Sequence, residues 1–313
     1  MADGPATAHV GTCFGYSLRS NEPLAYARAG AGPPLELPVT DVAPAPDGSE
    51  PVMTFRAPTG ERVVTGHVHD EGDGRWRTWV DGGGWYVVDV PAQRIELPSG
   101  TEPIAREEAL WSVPGRILLV ARGDLPLHAA AIEVDGRALV LTGPTRHGKT
   151  TLAATLAAAG HRLLGEDLVD VRFAADGTPT AVPGPAYLRL RRDVADLVAV
   201  PGTTVVAESA ERLHLAVDQP LRGGCAPVPV AAIVLLRLSD DEVTLGAVDP
   251  VRAVRDVWSQ GFALPTAQSR AQSFHNIGRL VDAVPVLDLA RPLRMAAVPR
   301  VLDVLLGEVM ARA

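Results

Sequence analysis

The chain has 313 residues, 47% of them hydrophobic and 21% charged, with a formal net charge of −8. That length allows one large or two modest domains with ample core, and the composition is that of an ordinary globular protein. The acidic balance argues against nucleic acid or an anionic membrane as the main partner, and the longest apolar run, around Val228 to Leu238, is too short for a bilayer. Met1-Ala-Asp-Gly-Pro5 shows no basic segment leading into an apolar core, so no signal peptide is expected. Cys13 and Cys225 lie far apart and fit reduced thiols in a cytoplasmic chain.

Residues 1 to about 100 predict a β-rich region. Short alternating runs recur at Gly15–Leu18, Val52–Phe55, Arg62–Val68, Arg75–Val80 and Trp85–Val90, separated by Gly, Pro and Asp turns. Asp81-Gly-Gly-Gly84 reads as a tight hairpin turn, and the Pro-rich span Gly32 to Pro51 as a loop. All the tryptophans except Trp258 fall between Trp76 and Trp111, which predicts an aromatic core for this sheet. Glu102 to Ala121 sets Leu110, Val113, Ile117 and Val120 on one helical face, and Pro114 within it predicts a kink or a split into two helices. The domain joint is expected at this helix, giving a smaller β-rich domain over 1–121 and a second domain over 122–313.

Ala129–Val134 and Arg137–Thr142 flank Asp135-Gly136, a strong hairpin signal. A helix over Thr151–Ala159 ends at Gly160, and His161–Phe173 reads as a strand pair or one bent strand with Gly165-Glu-Asp167 at its middle. Val182–Leu190, Arg212–Val217, Val230–Leu238 and Val243–Val248 read as further strands. Asp249 caps a helix with Pro250 at its first position. A second helix covers Thr266–Val284, with Ala267, Ala271, Phe274, Ile277 and Val281 at helical spacing. Val286–Leu289 is a last strand and Ala296–Met310 a last helix. Strands mixed with helices indicate an α/β domain.

Between that hairpin and its following helix stands Gly143-Pro-Thr-Arg-His-Gly-Lys-Thr150, which fits the phosphate-loop pattern G-x-x-x-x-G-K-[ST] in the strand–loop–helix setting the motif needs. Glycines let backbone amides curl around phosphate oxygens, and the helix N-terminus adds a favourable dipole. Of the 29 Lys and Arg residues only Lys149 is lysine, so the one compact ammonium in the chain stands where a phosphate site requires it. The expected nucleotide contacts are Gly143, Pro144, Thr145, Arg146, His147, Gly148, Lys149, Thr150 and Thr151, with Lys149 also serving catalysis on the β/γ-phosphates. Thr150 is expected to ligate Mg²⁺. Glu166 and Asp167, one strand beyond the loop helix, are candidates to hold the metal, and Asp167 to accept the hydroxyl proton. Strand alternation predicts that only one of these adjacent acids reaches the site directly. His128, at the start of the hairpin, projects toward the phosphate end and is a third catalytic candidate. Arg189 and Arg191 share a strand face, as a solvated edge or as a clamp on phosphates.

The runs Leu127-His-Ala-Ala-Ala-Ile-Glu-Val-Asp-Gly136, Leu141-Thr-Gly-Pro-Thr-Arg-His-Gly-Lys-Thr150 and Gly160-His-Arg-Leu-Leu-Gly-Glu-Asp167 resemble the C-terminal domain of HPr serine kinase/phosphorylase, and more closely the HPr-kinase-related proteins of peptide natural-product clusters, including lasso-peptide kinases. The resemblance implies an α/β fold related to phosphoenolpyruvate carboxykinase, ATP and Mg²⁺ as cofactors, Asp167 as the carboxylate that activates the acceptor hydroxyl, and His128 as an active-site histidine. It also implies a homo-oligomer, and the acceptor expected is a peptide or small protein docked by the N-terminal domain. The loop departs from the family pattern at Arg146-His147, and the family's downstream glycine-rich signature is not recognisable after Ala181. A small-molecule hydroxyl acceptor and a non-catalytic nucleotide-binding module remain as alternatives.

Overall fold

The computed structural model describes residues 7–59, 62–218 and 225–312, so the opening Met1-Ala-Asp-Gly-Pro5 lies outside the described residues. The chain divides into two compact units, Met1–Gly123 with Ala263–Arg270, and Asp124–Phe262 with Ala271–Ala313. The first unit thus takes in a short segment from far along the chain, which no local pattern announces.

The described residues of the first unit form a largely antiparallel sheet followed by a long helix. Its strands are β1 (Ala8–Cys13), β2 (Tyr16–Ser20), β3 (Pro34–Leu37), β4 (Val39–Thr40), β5 (Met53–Thr59), β6 (Arg62–Gly72), β7 (Arg75–Val80), β8 (Gly84–Asp89) and β9 (Arg94–Pro98), followed by α1 (Pro103–Ala121). They pair in the order β1-β2-β3-β9-β8-β7-β6-β5, with β4 also on β9. The expected Pro-rich loop therefore holds two short strands. Leu35, Leu37 and Val39 are buried, so their apolar side chains pin the segment to the sheet despite the prolines. Helix α1 runs unbroken through Pro114. The proline removes one backbone donor, but Leu110, Trp111, Val113, Ile117 and Leu118 are buried around it and hold the helical path. The sheet core is less tryptophan-rich than expected. Trp76 and Trp111 are buried with Tyr16, Tyr26 and Tyr86, whereas Trp79 and Trp85 lie against His67 and His69.

The second unit is a mixed α/β assembly. Its elements are β10 (Leu125–Leu127), β11 (Ala129–Val134), β12 (Arg137–Thr142), α2 (Lys149–Ala158), β13 (Arg162–Gly165), β14 (Val169–Phe173), β15 (Pro179–Val182), β16 (Tyr187–Arg191), α3 (Arg192–Ala195), β17 (Thr203–Glu208), β18 (Arg212–Val217), β19 (Val228–Leu238), β20 (Thr244–Ala247), α4 (Pro250–Trp258), α5 (Ala267–Ala283), β21 (Val286–Arg291) and α6 (Val298–Arg312). Helix α5 starts within the segment assigned to the first unit. Strands β10, β14, β15, β19, β12, β11 and β13 follow one another across the main sheet, β21 pairs with β19 and β20, and β16-β18-β17 form a separate three-stranded antiparallel sheet. The single strand expected over 182–190 is two strands, β15 and β16, interrupted by Pro183-Gly-Pro185. Strands β13 and β14 do not pair with each other. The first pairs with β11, the second with β10 and β15.

Strand β12 sits between antiparallel β11 and parallel β19, and β19 is in turn parallel to β21. The Asp135-Gly136 turn has positive φ at both residues, 49° and 80°, the conformation that matches the twist of a two-residue hairpin. Period-two alternation divides the strand side chains. Leu139 and Leu141 face Leu152, Leu156 and Leu305, whereas Ala138 and Val140 face Val257, Ile277 and Leu280. Helices therefore cover both faces, and the fully buried leucines each contribute about 2 kcal/mol. On α5 the buried residues are Ser273, Asn276, Ile277 and Leu280, while Phe274, assigned by spacing to the apolar face, is exposed. No helix among the described residues is long and apolar enough to cross a membrane.

Candidate active site

The parallel strands β12, β19 and β21 bring their C-terminal ends to one edge, and the glycine-bounded loop 143–148 follows β12 there. Gly143 has φ of 139°, and a Cβ on it would lie 2.9 Å from the Leu236 carbonyl oxygen, so only glycine lets the chain leave the sheet here. Gly148 has φ of 76° and caps α2 without a side chain. Arg146 adopts a left-handed φ of 67° without being glycine. Pro144, Thr145 and Arg146 are exposed, His147, Gly148, Thr150 and Thr151 are half-buried, and Gly143 and Lys149 are buried.

Lys149 folds back on the loop, its Nζ donating to the carbonyls of Gly143 at 2.8 Å and Pro144 at 3.2 Å. Burial lowers its pKa, while the charges of Asp167 and Glu166 act in the opposite direction. The ammonium is held beside the acids and inside the loop.

The two acids do not obey the alternation expected of them, because they are not on a strand. Strand β13 ends at Gly165, and Asp167 turns left-handed at φ 68°. Both carboxylates therefore meet one guanidinium. Arg189, on β16, donates from Nε to Glu166 at 3.3 Å and lies with Nη2 3.1 Å from Asp167. Thr150 donates its hydroxyl to Glu166 at 2.6 Å. His128 Nδ1 lies 3.1 Å from Asp167 Oδ1. An ionised carboxylate only accepts, so Nδ1 carries the proton in this contact. The backbone of His128 is fixed twice: its N–H donates to Gln260 at 2.7 Å, and its carbonyl accepts from the Thr142 hydroxyl at 2.9 Å. The result is a connected row, Thr150–Glu166–Arg189–Asp167–His128, at the mouth of the loop.

The acid bonded to Thr150 is Glu166, whereas Asp167 is turned to His128. The adjacent hydroxyl and carboxylate are hard oxygen donors, and among the described residues no group of three or more His, Cys, Asp or Glu could by itself hold a metal ion. That set fits Mg²⁺, which keeps waters and takes phosphate oxygens, rather than a cation needing an all-protein cage. Arg189, left open between edge and clamp, belongs to this network. Arg191 does not: it is exposed and paired with Asp193 at 2.8 Å.

One residue escaped the sequence reading altogether. Arg291, the last residue of β21, donates from Nη2 to the carbonyls of His147 at 2.8 Å and Gly148 at 3.2 Å. A Cβ on Gly148 would collide with this guanidinium. The available signal was weak: an apolar strand, Val286–Ala290, closing on Arg-Pro.

No family model matches the chain. HPr kinase/phosphorylases from strains of Streptococcus thermophilus align with it over 139 residues at 24% identity, covering 39% of this chain and 45% of each relative. The chain is a distant, partial relative of those enzymes. It spans less than half the length of the curated relatives it matches. The solved Hpr(Ser) kinase/phosphatase from Coxiella burnetii overlaps 59% of this chain and 88% of its own at 13% identity, with a TM-score of 0.30, a level at which no shared fold is shown.

Proposed function

We propose that this protein is an ATP- and Mg²⁺-dependent kinase that transfers the γ-phosphoryl group to a Ser or Thr hydroxyl of a peptide or small protein, such as a ribosomal natural-product precursor. The observation that carries the reading is Asp167, held by His128 and Arg189 at 3.1 Å each, beside the loop that carries Lys149. A carboxylate so oriented suits general-base work on an acceptor hydroxyl, and the distant relationship to HPr kinase/phosphorylase supports the same chemistry.

In this mechanism the loop amides from Gly143 to Thr151 cradle the phosphates, and Lys149 exchanges its two loop carbonyls for β/γ-phosphate oxygens. Thr150 and Glu166 would hold Mg²⁺, which when bound neutralises phosphate charge. The acceptor oxygen attacks the γ-phosphorus as the bond to the bridging oxygen breaks, ADP leaves, and the hydroxyl proton passes to Asp167. His128 keeps the Asp167 carboxylate aimed, and Arg189 offsets the charge of the paired acids. The N-terminal unit docks the acceptor, and the protein works in the cytoplasm as a homo-oligomer, the assembly following from the likeness to HPr kinases.

Labelled ATP incubated with candidate precursor peptides tests this directly. Transfer to a hydroxyl is expected, with Asp167→Asn lowering the rate about 10³-fold at similar nucleotide affinity, and Lys149→Ala losing nucleotide affinity as well. A wild type that binds ATP tightly but phosphorylates no hydroxyl acceptor refutes the kinase reading.

A further inference from the structure

Arg291 is 4% exposed, yet among the described residues no acid accompanies it. Its Nε is buried without a hydrogen-bond partner, and desolvation lowers its pKa with no carboxylate acting to raise it. A guanidinium stays charged at any working pH, so the fold holds an uncompensated buried cation, which is costly unless something offsets it. Among the described residues the acceptors it reaches are the His147 and Gly148 carbonyls of the phosphate loop. The rest of the residue is anchored, with its carbonyl accepting from Ser239 N–H at 3.0 Å.

Peptide geometry gives this contact a consequence. In a trans peptide the carbonyl of one residue and the N–H of the next point in opposite directions. Holding the His147 carbonyl turns the Gly148 N–H away from Arg291. Holding the Gly148 carbonyl does the same for Lys149 N–H, and the Gly148 carbonyl also accepts the first helical bond, from Leu152 at 3.0 Å. The amides so directed are the ones an anion at a helix N-terminus uses.

We propose that Arg291 is a positioning residue of the anion cradle: it clamps the outward carbonyls of the loop so that the amides of Gly148 and Lys149 face the ligand, and its unpaired charge is offset only when the phosphates of a nucleoside di- or triphosphate arrive. This rests on the phosphate reading of the loop and adds to it the residue that preorganises it. Arg291 does not touch the reacting atoms, and its effect lies on binding. The same charge makes the nucleotide-free loop the unfavourable state, so anion binding stabilises the fold more than the ligand's direct contacts alone.

Calorimetric titration of the full chain with pyrophosphate and with ATP, alongside thermal melts with and without pyrophosphate, decides the matter. Arg291→Met is expected to weaken both ligands at least about tenfold, to melt no lower than wild type without ligand, and to lose most of the pyrophosphate-induced shift. Arg294→Met is the neighbouring control, since Arg294 is exposed and paired with Asp241 at 3.0 Å. It should stay within about twofold of wild type. A purely structural arginine gives the reverse result, a lower melting point with affinity intact, and that outcome overturns the proposal. Should Arg291→Met fail to fold, Arg291→Lys keeps the charge but cannot bridge both carbonyls. Weaker pyrophosphate binding by that variant supports the clamp, and wild-type affinity overturns it. A wild type that binds pyrophosphate and ATP but transfers no phosphoryl group removes the kinase reading while leaving the clamp standing.

Discussion

Each unit of this chain buries an arginine, and the two are treated differently. In the first unit Arg106 is 2% exposed, forms an ion pair with Glu22 and donates to the Pro98 carbonyl at 3.3 Å. In the second unit Arg291 is about as buried, and among the described residues finds two loop carbonyls and no acid. The nearby acids repeat the contrast. Glu107 of the first unit is satisfied by the backbone amides of Ala25 at 2.6 Å and Tyr26 at 3.0 Å, whereas Glu166 and Asp167 of the second share Arg189 with each other. The first unit uses its buried charges to complete its own structure. The second gathers charge of both signs around a loop.

The largest effect expected from this comparison is a pH dependence. Burial raises the Glu107 pKa from 4.5 to about 7 against the pull of its two amide donors. A raised carboxyl pKa means the folded state binds the proton more tightly than the unfolded one. The associated stability is therefore fully present below pH about 4.5 and is lost as pH rises through about 7, on the order of 3 kcal/mol. Denaturant melts across that window should show the first unit weakening, and Glu107→Gln should flatten the profile. An unchanged profile in the variant removes Glu107 as its source.

Next in size is Arg106→Met, expected to destabilise the first unit by about 2 kcal/mol through the orphaned carbonyl and the broken ion pair, with pyrophosphate affinity unchanged. Together with Arg291→Met this sets the two arginines against each other: one variant should lose stability and keep binding, the other lose binding and keep stability. If both behave alike, the contrast between the units fails. The smallest effect belongs to Arg191→Gln, which removes an exposed pair with Asp193 and should change stability by less than about 0.5 kcal/mol with no effect on nucleotide binding. A larger loss would show that the charged edge of β16 matters beyond Arg189.

Much of the second unit was legible in the sequence because its signals are local. Asp135-Gly136 announces a hairpin, Gly143 to Thr150 a glycine-bounded loop between strand and helix, and Asp249-Pro250 a helix start, where the Asp249 side chain accepts from Arg252 N–H at 3.1 Å. These patterns depend on backbone geometry a few residues long, and glycine, proline and short acids each have one dominant reason to stand there. The misses share a cause as well. Pro114 inside a helix, and β3 and β4 inside a Pro-rich span, are places where packing overrode local preference. Asp167 escaped the alternation argument because one left-handed residue ends it.

The sequence alone thus determined the glycine-bounded loop, the helix after it and the antiparallel hairpin leading into it. Only the tertiary structure decided which cations the loop and the two acids meet. Arg189 reaches Glu166 across 23 residues of chain, and Arg291 reaches the loop across 144, through the packing of β16 and the parallel pairing of β12, β19 and β21. A contact that depends on strand order and on how a guanidinium fork lies against a turn has no local pattern to mark it.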